Sequence, residues 1–177
     1  MTLPDPTANI DHLKLLVLDV DGVLTDGSIT LTEQGHEIKR FHVRDGLGIK
    51  LLRDNGIDVA ILSSRASRAV TLRMQEIGIT HVLQGVADKA AGLATLLNDI
   101  NIPAAEAAYM GDDLQDLPAM RKCAYRMTVA DASKPVRDAA DYVTFTQGGH
   151  GAVREAAEHL LRSQNKWRTA LAPYTND

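Results

Sequence analysis

The chain has 177 residues, of which 45% are hydrophobic and 4% aromatic, and its net charge is -4. This length suits one packed domain, 1–177, and the acidic charge argues against nucleic-acid binding. A single cysteine, Cys123, excludes an internal disulfide framework and fits a reducing compartment. The chain has no signal peptide and no apolar run that could cross a bilayer, so we expect a cytoplasmic protein without membrane partners.

Strand and helix signals alternate along the chain. Residues 1–12 predict a loose N-terminal segment, and two β-branched stretches flanking Glu33-Gln34-Gly35 predict a hairpin flap over 28–43. Asp45 opens the first predicted helix. The polar tail 163–177 contains Trp167 and Tyr174, which favour either a docking segment or a frayed terminus. The remaining strands are predicted at 14–18, 58–62, 81–83, 107–110, 124–129 and 142–145, and helices at 46–55, 67–77, 88–100, 116–122 and 152–162. This alternation predicts an α/β fold with a doubly wound, mostly parallel sheet and no large cap domain.

Two carboxylates follow the first strand. The apolar run Leu15 to Leu18 ends in Asp19 and Asp21, and a buried strand rarely ends in charged residues unless they are used. In an open α/β sheet, ligands bind at the carboxyl ends of the strands. The alternative is a surface turn, since Asp-Gly is a common turn dipeptide.

Other chemically useful residues occupy equivalent positions. Ser63 follows the second strand of the sheet, Lys89 opens a later helix, and Asp112 and Asp113 follow the strand at 107–110. Each has a simpler explanation alone: a helix cap for Ser63 or the aspartates, and a solvated surface residue for Lys89. We interpret Asp116 as a helix cap. In combination, we expect Ser63, Lys89 and Asp112 to share one crevice with Asp19 and Asp21.

Such a crevice could hydrolyse a phosphomonoester. One carboxylate can attack phosphorus to form an aspartyl-phosphate, and a second can protonate the leaving alkoxide and then deprotonate water. A hydroxyl and an ammonium can hold the phosphoryl oxygens. Carboxylate oxygens with an open coordination position suit Mg²⁺, which reduces the repulsion between nucleophile and phosphate.

These residues resemble the motifs of the haloacid dehalogenase superfamily of phosphatases, which has a Rossmann-like fold. The resemblance implies Asp19 as the nucleophile and Asp21 as the acid/base, with Ser63 and Lys89 in the second and third motifs. It also implies Mg²⁺ held by Asp19, the backbone carbonyl of Asp21, and Asp112.

Two further stretches, 41–49 and 148–155, narrow the resemblance to the 3-deoxy-D-manno-octulosonate 8-phosphate phosphatases of lipopolysaccharide sugar synthesis. That family implies a homotetramer in which each neighbouring subunit covers an active site. Ser63-Ser64 stands where the family has Thr-Gly. The residues implied to bind the sugar phosphate are Asp21, His42, Val43, Arg44, Asp45, Gly46, Lys50, Arg65, Arg73 and Lys89.

Other functions remain open at this stage. A nonulosonate 9-phosphate phosphatase would use a similar scaffold. A non-catalytic oligomerisation module, related to the domain attached to some acylneuraminate cytidylyltransferases, would not need the intact catalytic set. A phosphotransfer receiver domain also clusters Asp and Lys, but the Asp-x-Asp spacing and the hairpin argue against it. The alternative to pairing with neighbouring subunits is a hairpin that folds onto its own domain.

Overall fold

The central strand, β1 (Leu15–Leu18), is buried on both faces in this computed structural model, which describes residues 10–175. All four of its side chains are fully buried. Successive side chains of a strand point to opposite faces, so layers of structure cover both sides of the sheet. This explains why β1 reads as a continuous apolar run.

Six parallel strands form the main sheet. Besides β1 they are β4 (Asp58–Leu62), β5 (Val82–Leu83), β6 (Ala107–Met110), β7 (Tyr125–Thr128) and β8 (Tyr142–Val143). Their order across the sheet is β5-β4-β1-β6-β7-β8, so the chain adds β4 and β5 on one side of β1 and then β6, β7 and β8 on the other. The strand order reverses at β1, and an open sheet has its ligand crevice at such a point. The predicted doubly wound parallel sheet is confirmed.

Seven α-helices connect and cover these strands in the described part of the chain. They are α1 (Val43–Asp54), α2 (Arg68–Glu76), α3 (Lys89–Ile100), α4 (Leu117–Met120), α5 (Lys134–Ala139), α6 (Ala152–Ser163) and α7 (Trp167–Thr175). Short 3₁₀ turns cover Ala104–Glu106 and Leu114–Asp116. No helix within residues 10–175 is both long enough and apolar enough to span a membrane.

A two-stranded antiparallel hairpin lies between β1 and α1 and consists of β2 (Thr30–Leu31) and β3 (Glu37–Ile38). No large cap domain occurs in residues 10–175. The predicted second hairpin strand ran to residue 43, whereas Val43 is the first residue of α1. Asp45, the predicted first residue of this helix, lies in its first turn instead, and its Oδ1 atom accepts the Arg154 N–H of α6 at 2.8 Å.

The two ends of the described chain pack onto the body of the protein. Trp167 of α7 lies against the guanidinium groups of Arg154 and Arg162, at 5.9 and 4.7 Å from the ring centroid. Ala170 is buried, so the segment docks as a helix instead of fraying. Neither α5 nor α7 was predicted, because their short apolar patterns are weak.

Gln164, just after α6, fixes the N-terminal segment. Its Nε2 atom donates to the backbone carbonyls of Ile10, at 3.0 Å, and Leu13, at 2.9 Å. Ile10 is itself buried, so the chain is anchored at this residue of the predicted loose segment. Residues 1–9 of that predicted segment lie outside the described residues.

Replacing Gln164 by alanine should lower the free energy of unfolding by about 1–3 kcal/mol, because the buried Leu13 carbonyl loses its side-chain donor and the Ile10 carbonyl keeps only the Leu13 N–H. Chemical denaturation monitored by circular dichroism measures this. Gln75→Ala, on the exposed face of α2, is the matched control and should change stability by less than about 0.5 kcal/mol. Equal effects in the two variants would contradict the structural role of Gln164.

Candidate active site

The residues after β1, β4 and β6 meet where the sheet order reverses. Asp19 follows β1 and its N–H donates to the Met110 carbonyl at 3.0 Å, which extends the ladder between β1 and β6. Ser63 follows β4, and its N–H donates a hydrogen bond to the Leu83 carbonyl of β5 at 2.9 Å. Asp19 and Ser63 are both buried. The ends of these neighbouring strands therefore form one crevice, as the sequence predicted.

Lys89, the first residue of α3, supplies a buried positive charge to this crevice. Its Nζ atom lies 3.0 Å from Asp19 Oδ1 and 2.5 Å from Asp116 Oδ1. The helix start is fixed by Asp88, whose side chain accepts the N–H groups of Ala90 and Ala91 at 2.9 and 3.0 Å. Burial acts to lower the pKa of Lys89, but the charges of Asp19 and Asp116 outweigh it and the net pKa is raised. Lys89 is not the solvated residue that its position alone would suggest.

Asp116 has a larger role than the helix cap inferred from sequence. It does form a capping box with Asp113. It is also completely buried, and its Oδ1 atom accepts the Tyr109 hydroxyl at 2.8 Å besides Lys89. Its Oδ2 atom accepts the N–H groups of Asp112 and Asp113, both at 3.1 Å. The capping pattern could be seen in the sequence, but the partners from β6 and α3 could not.

Asp112 approaches the loop after β1 closely. A Cβ atom at Gly22, which has a φ of +87°, would lie 2.1 Å from Asp112 Oδ2. Any residue larger than glycine would therefore displace the carboxylate. The other oxygen, Asp112 Oδ1, is buried and has no hydrogen-bond partner. A buried carboxylate oxygen without a donor is a position that a cation would fill.

Three carboxylates are close enough to share a cation. Oxygen atoms of Asp19, Asp112 and Asp116 all lie within 4.8 Å of one another. Both oxygens of Asp116 already have donors, so Asp19 and Asp112 are the side chains better placed to be ligands. Oxygen donors of this kind suit a hard divalent cation. The sequence had assigned Asp19, Asp112 and the Asp21 carbonyl, and the carbonyl ligand stays a prediction.

The crowding of these carboxylates disfavours their charged forms. Burial first, and then the charge of Asp116, raise the pKa of Asp19 to about 6, although Lys89 opposes the shift. Burial and the charges of Asp116, Asp19 and Asp113 raise the pKa of Asp112 to about 7. A cation between them would reverse this effect by stabilising both carboxylates.

Asp21 lies in the turn after β1, on the hairpin side of the crevice. The N–H groups of Val23, Leu24 and Thr25 all donate to the Val20 carbonyl and hold this turn. The Asp21 carboxylate faces two cations. Arg65 Nε lies 3.7 Å from Asp21 Oδ2, and Lys39 Nζ donates to Asp21 Oδ1. Sequence reasoning missed Lys39, because a lysine in a hairpin is normally solvated.

Most of the other predicted substrate-binding residues line two cavities beside α1. His42, Asp45, Gly46 and Arg73 line a narrow cleft. Val43, Gly46, Lys50 and Arg73 also line a wider cavity of about 970 Å³ between α1 and α2. Among the described residues that line these two cavities, none belongs to the set Asp19, Asp21, Ser63, Lys89 and Asp112. Arg44 is exposed on α1. Ion pairs place Asp21 beside Arg65, and Lys89 beside Asp19. A role for the α1 and α2 residues in binding the substrate stays a prediction.

Comparisons with known proteins identify the family. Residues 78–155 match the model of haloacid dehalogenase-like hydrolases. The chain is 44% identical to the 3-deoxy-D-manno-octulosonate 8-phosphate phosphatase KdsC of Escherichia coli, over 92% of this chain and 86% of the relative. It is 43% identical to the Haemophilus influenzae phosphatase of the same name, over 89% of this chain and 87% of that relative. The chain belongs to this phosphatase family.

A solved structure extends the match to the fold. The phosphatase of Moraxella catarrhalis, crystallised with magnesium, phosphate and a KDO molecule, has a TM-score of 0.93 and 38% identity to this chain. The match covers 98% of this chain and 100% of that one. The chain is therefore a phosphomonoester hydrolase of the haloacid dehalogenase fold, as the strand-end motifs indicated.

In the metal-free protein, Asp112→Asn should become more stabilising relative to the parent as pH rises. The folded-state pKa of about 7 lies above the ordinary value of 3.8, so the folded state binds more protons in this window. The parent protein therefore loses stability as pH rises from about 4 to about 7, and the variant lacks this loss. Melting temperatures measured with a chelator across this range test the prediction.

The control for this series is Asp99→Asn, an exposed carboxylate on α3. Its melting temperature should follow the parent at every pH. A difference between Asp112→Asn and the parent that stays constant with pH would contradict the assignment.

Proposed function

We propose that this chain hydrolyses 3-deoxy-D-manno-octulosonate 8-phosphate to the free sugar acid and phosphate, in the synthesis of lipopolysaccharide sugar. The observation that carries the proposal is the buried pair of Asp19 and Lys89, whose charged atoms lie 3.0 Å apart where the strand order reverses. The similarity of the chain to the octulosonate phosphatase of Escherichia coli supports the same conclusion. A non-catalytic oligomerisation module would not need a buried carboxylate–lysine pair with an unpartnered carboxylate beside it. A nonulosonate 9-phosphate is the alternative substrate. We place the reaction in the cytoplasm, because a chain with a single cysteine fits a reducing compartment.

Two proton transfers and two displacements complete the reaction. A carboxylate oxygen of Asp19 attacks phosphorus, the bond from phosphorus to the sugar oxygen breaks, and Asp21 donates its proton to that oxygen. Water then attacks the aspartyl-phosphate while Asp21 accepts the proton of the water. The bond from phosphorus to Asp19 breaks, and phosphate leaves.

Lys89 and Ser63 stabilise the phosphoryl group as it transfers. Because the Lys89 ammonium contacts Asp19 directly, it lies where negative charge develops on the phosphoryl oxygens. Asp116 holds the ammonium in place from the other side. The Ser63 hydroxyl, at the end of β4, is a second donor for these oxygens.

The cofactor in this proposal is Mg²⁺. Asp19, Asp112 and the Asp21 carbonyl would hold it, and the unpartnered Asp112 Oδ1 atom fits such a ligand. When bound, the ion supplies positive charge that offsets the repulsion between the Asp19 carboxylate and the phosphate.

In this proposal, positively charged side chains bind the sugar end of the substrate. The protein forms a homotetramer in which neighbouring subunits cover each active site. Arg65 lies beside Asp21 of its own chain, so it is the cation that we assign to the substrate of that chain. Arg44 is exposed on α1, and Lys50 and Arg73 line the cavity between α1 and α2, where a neighbouring subunit would meet them. The hairpin carries exposed apolar side chains, among them Ile29 and Leu31, that neighbouring hairpins would cover.

Phosphate release with Mg²⁺ tests the function directly. We expect the octulosonate 8-phosphate to be hydrolysed with a higher kcat/KM than a nonulosonate 9-phosphate or hexose phosphates. Asp19→Asn should lower kcat by about a thousand-fold or more, because it removes the nucleophile. Asp138→Asn, an exposed carboxylate on α5, should leave kcat unchanged.

The outcomes separate the alternatives. A preference for the nonulosonate would retain the mechanism and replace the substrate. If the parent protein hydrolyses none of the esters, the oligomerisation module becomes the better explanation.

Leu31→Glu should dissociate the tetramer, because it places a charge on an apolar side chain that is 62% exposed in the single chain. Analytical ultracentrifugation measures the assembly. Leu72→Glu is the matched control: Leu72 on α2 is similarly exposed, at 54%, and lies outside the hairpin. If both variants sediment like the parent, hairpin pairing does not hold the subunits together.

A further inference from the structure

Lys39, which follows β3, is the one hairpin side chain whose burial contradicts its surroundings. Its side chain is 2% exposed, whereas Ile29, Leu31 and Ile38 of the same hairpin are 60%, 62% and 54% exposed. A lysine is rarely buried unless its charge is paired. The hairpin therefore directs its apolar residues outward and this ammonium inward.

The ammonium reaches the acid/base residue. Lys39 Nζ donates to Asp21 Oδ1 and lies 3.5 Å from Glu37 Oε1. Glu37 also pairs with the Arg65 guanidinium, which ties the hairpin to the loop after β4. The Asp21 Oδ2 atom differs from Oδ1, because its Arg65 neighbour is 3.7 Å away, beyond hydrogen-bond distance.

The two oxygens of Asp21 are therefore not equivalent. A protonated carboxyl group has one hydroxyl oxygen and one acceptor oxygen, and an ammonium can only donate. The oxygen that accepts from Lys39 cannot also carry the proton toward it. A hydroxyl oxygen is a weaker acceptor for an ammonium than a carbonyl oxygen, so this contact favours the proton on Oδ2.

We propose that Lys39 is a positioning residue for the acid/base step: it holds Asp21 Oδ1 so that Oδ2 carries the proton to the leaving sugar oxygen. This inference rests on the proposed function. In the first step, the proton moves from Oδ2 to the sugar oxygen as its bond to phosphorus breaks. In the second step, the same atom accepts a proton from the attacking water.

The effect of Lys39 should depend on the leaving group. A sugar alkoxide needs a proton as it leaves, whereas p-nitrophenolate is stable as an anion and needs little general-acid help. The ratio kcat/KM reports the steps up to release of the leaving group. A residue that orients the acid should therefore matter for the sugar phosphate and much less for the aryl phosphate.

The experiment compares kcat/KM for 3-deoxy-D-manno-octulosonate 8-phosphate and p-nitrophenyl phosphate in the full-length protein with Mg²⁺. Lys39→Met, which keeps the apolar stem, should lose about ten-fold or more on the sugar phosphate and less than about three-fold on the aryl phosphate. Asp21→Asn should show the same contrast, more strongly. Lys39→Arg, which restores a donor, should recover part of the loss.

The control is Arg40→Met, which removes the exposed ion pair between the neighbouring hairpin residue and Asp26. It should leave both substrates unaffected. Melting temperature and sedimentation of Lys39→Met establish that the fold and the assembly are intact.

Each contrary result has one meaning. Equal losses of Lys39→Met on the two esters, or no loss on either, would overturn the positioning role while the proposed function stands. If the parent protein hydrolyses neither ester, the proposed function fails, and the inference fails with it.

Discussion

The structure depends on one buried ammonium that faces an excess of buried carboxylates. Lys89 contacts Asp19 and Asp116, and Asp112 lies within the same small volume. Burying unpaired charge in a protein is strongly unfavourable, so this centre is tolerated only with close pairing and directed hydrogen bonds. Together with the Tyr109 hydroxyl on Asp116, these contacts join β1, β6, α3 and the 3₁₀ turn before α4.

The close approach of these elements leaves little room for change. Gly22 lets the turn after β1 lie against the Asp112 carboxylate, and at Gly111 a Cβ atom would lie 2.3 Å from the Asp116 carboxyl carbon. The raised pKa values of Asp19 and Asp112 indicate that the metal-free centre resists full ionisation. Such a centre costs stability in the empty protein, and it is ready to bind a cation and a phosphate.

The hairpin connects assembly with chemistry through its two unlike sides. Its inward side is ionic and joins Lys39 to Asp21 and Glu37 to Arg65. Its outward side is apolar. A two-stranded hairpin is only marginally stable alone, so both sides need partners. In the proposed tetramer, neighbouring hairpins would cover the apolar side and thereby hold the ionic side against the acid/base residue.

The strand ends and their chemistry could be predicted from local sequence patterns. Apolar runs that stop at Asp19, Ser63 and Asp112 predict buried parallel strands, and the strand order of such a sheet gathers their ends in one crevice. Hydrophobic periodicity is local, so it could be read without the fold. The roles of Asp116 and Lys39 were decided by tertiary structure alone. A helix cap fully accounts for Asp116 in the sequence, and its ion-pair partner Lys89 is 27 residues away in the chain. Local sequence patterns therefore gave no sign of this ion pair. In the sequence Lys39 resembles any solvated lysine of a hairpin. It acquires its partner only when the hairpin packs against Asp21, 18 residues earlier in the chain. Side-chain burial and long-range ion pairing depend on how elements pack, and no local pattern encodes them.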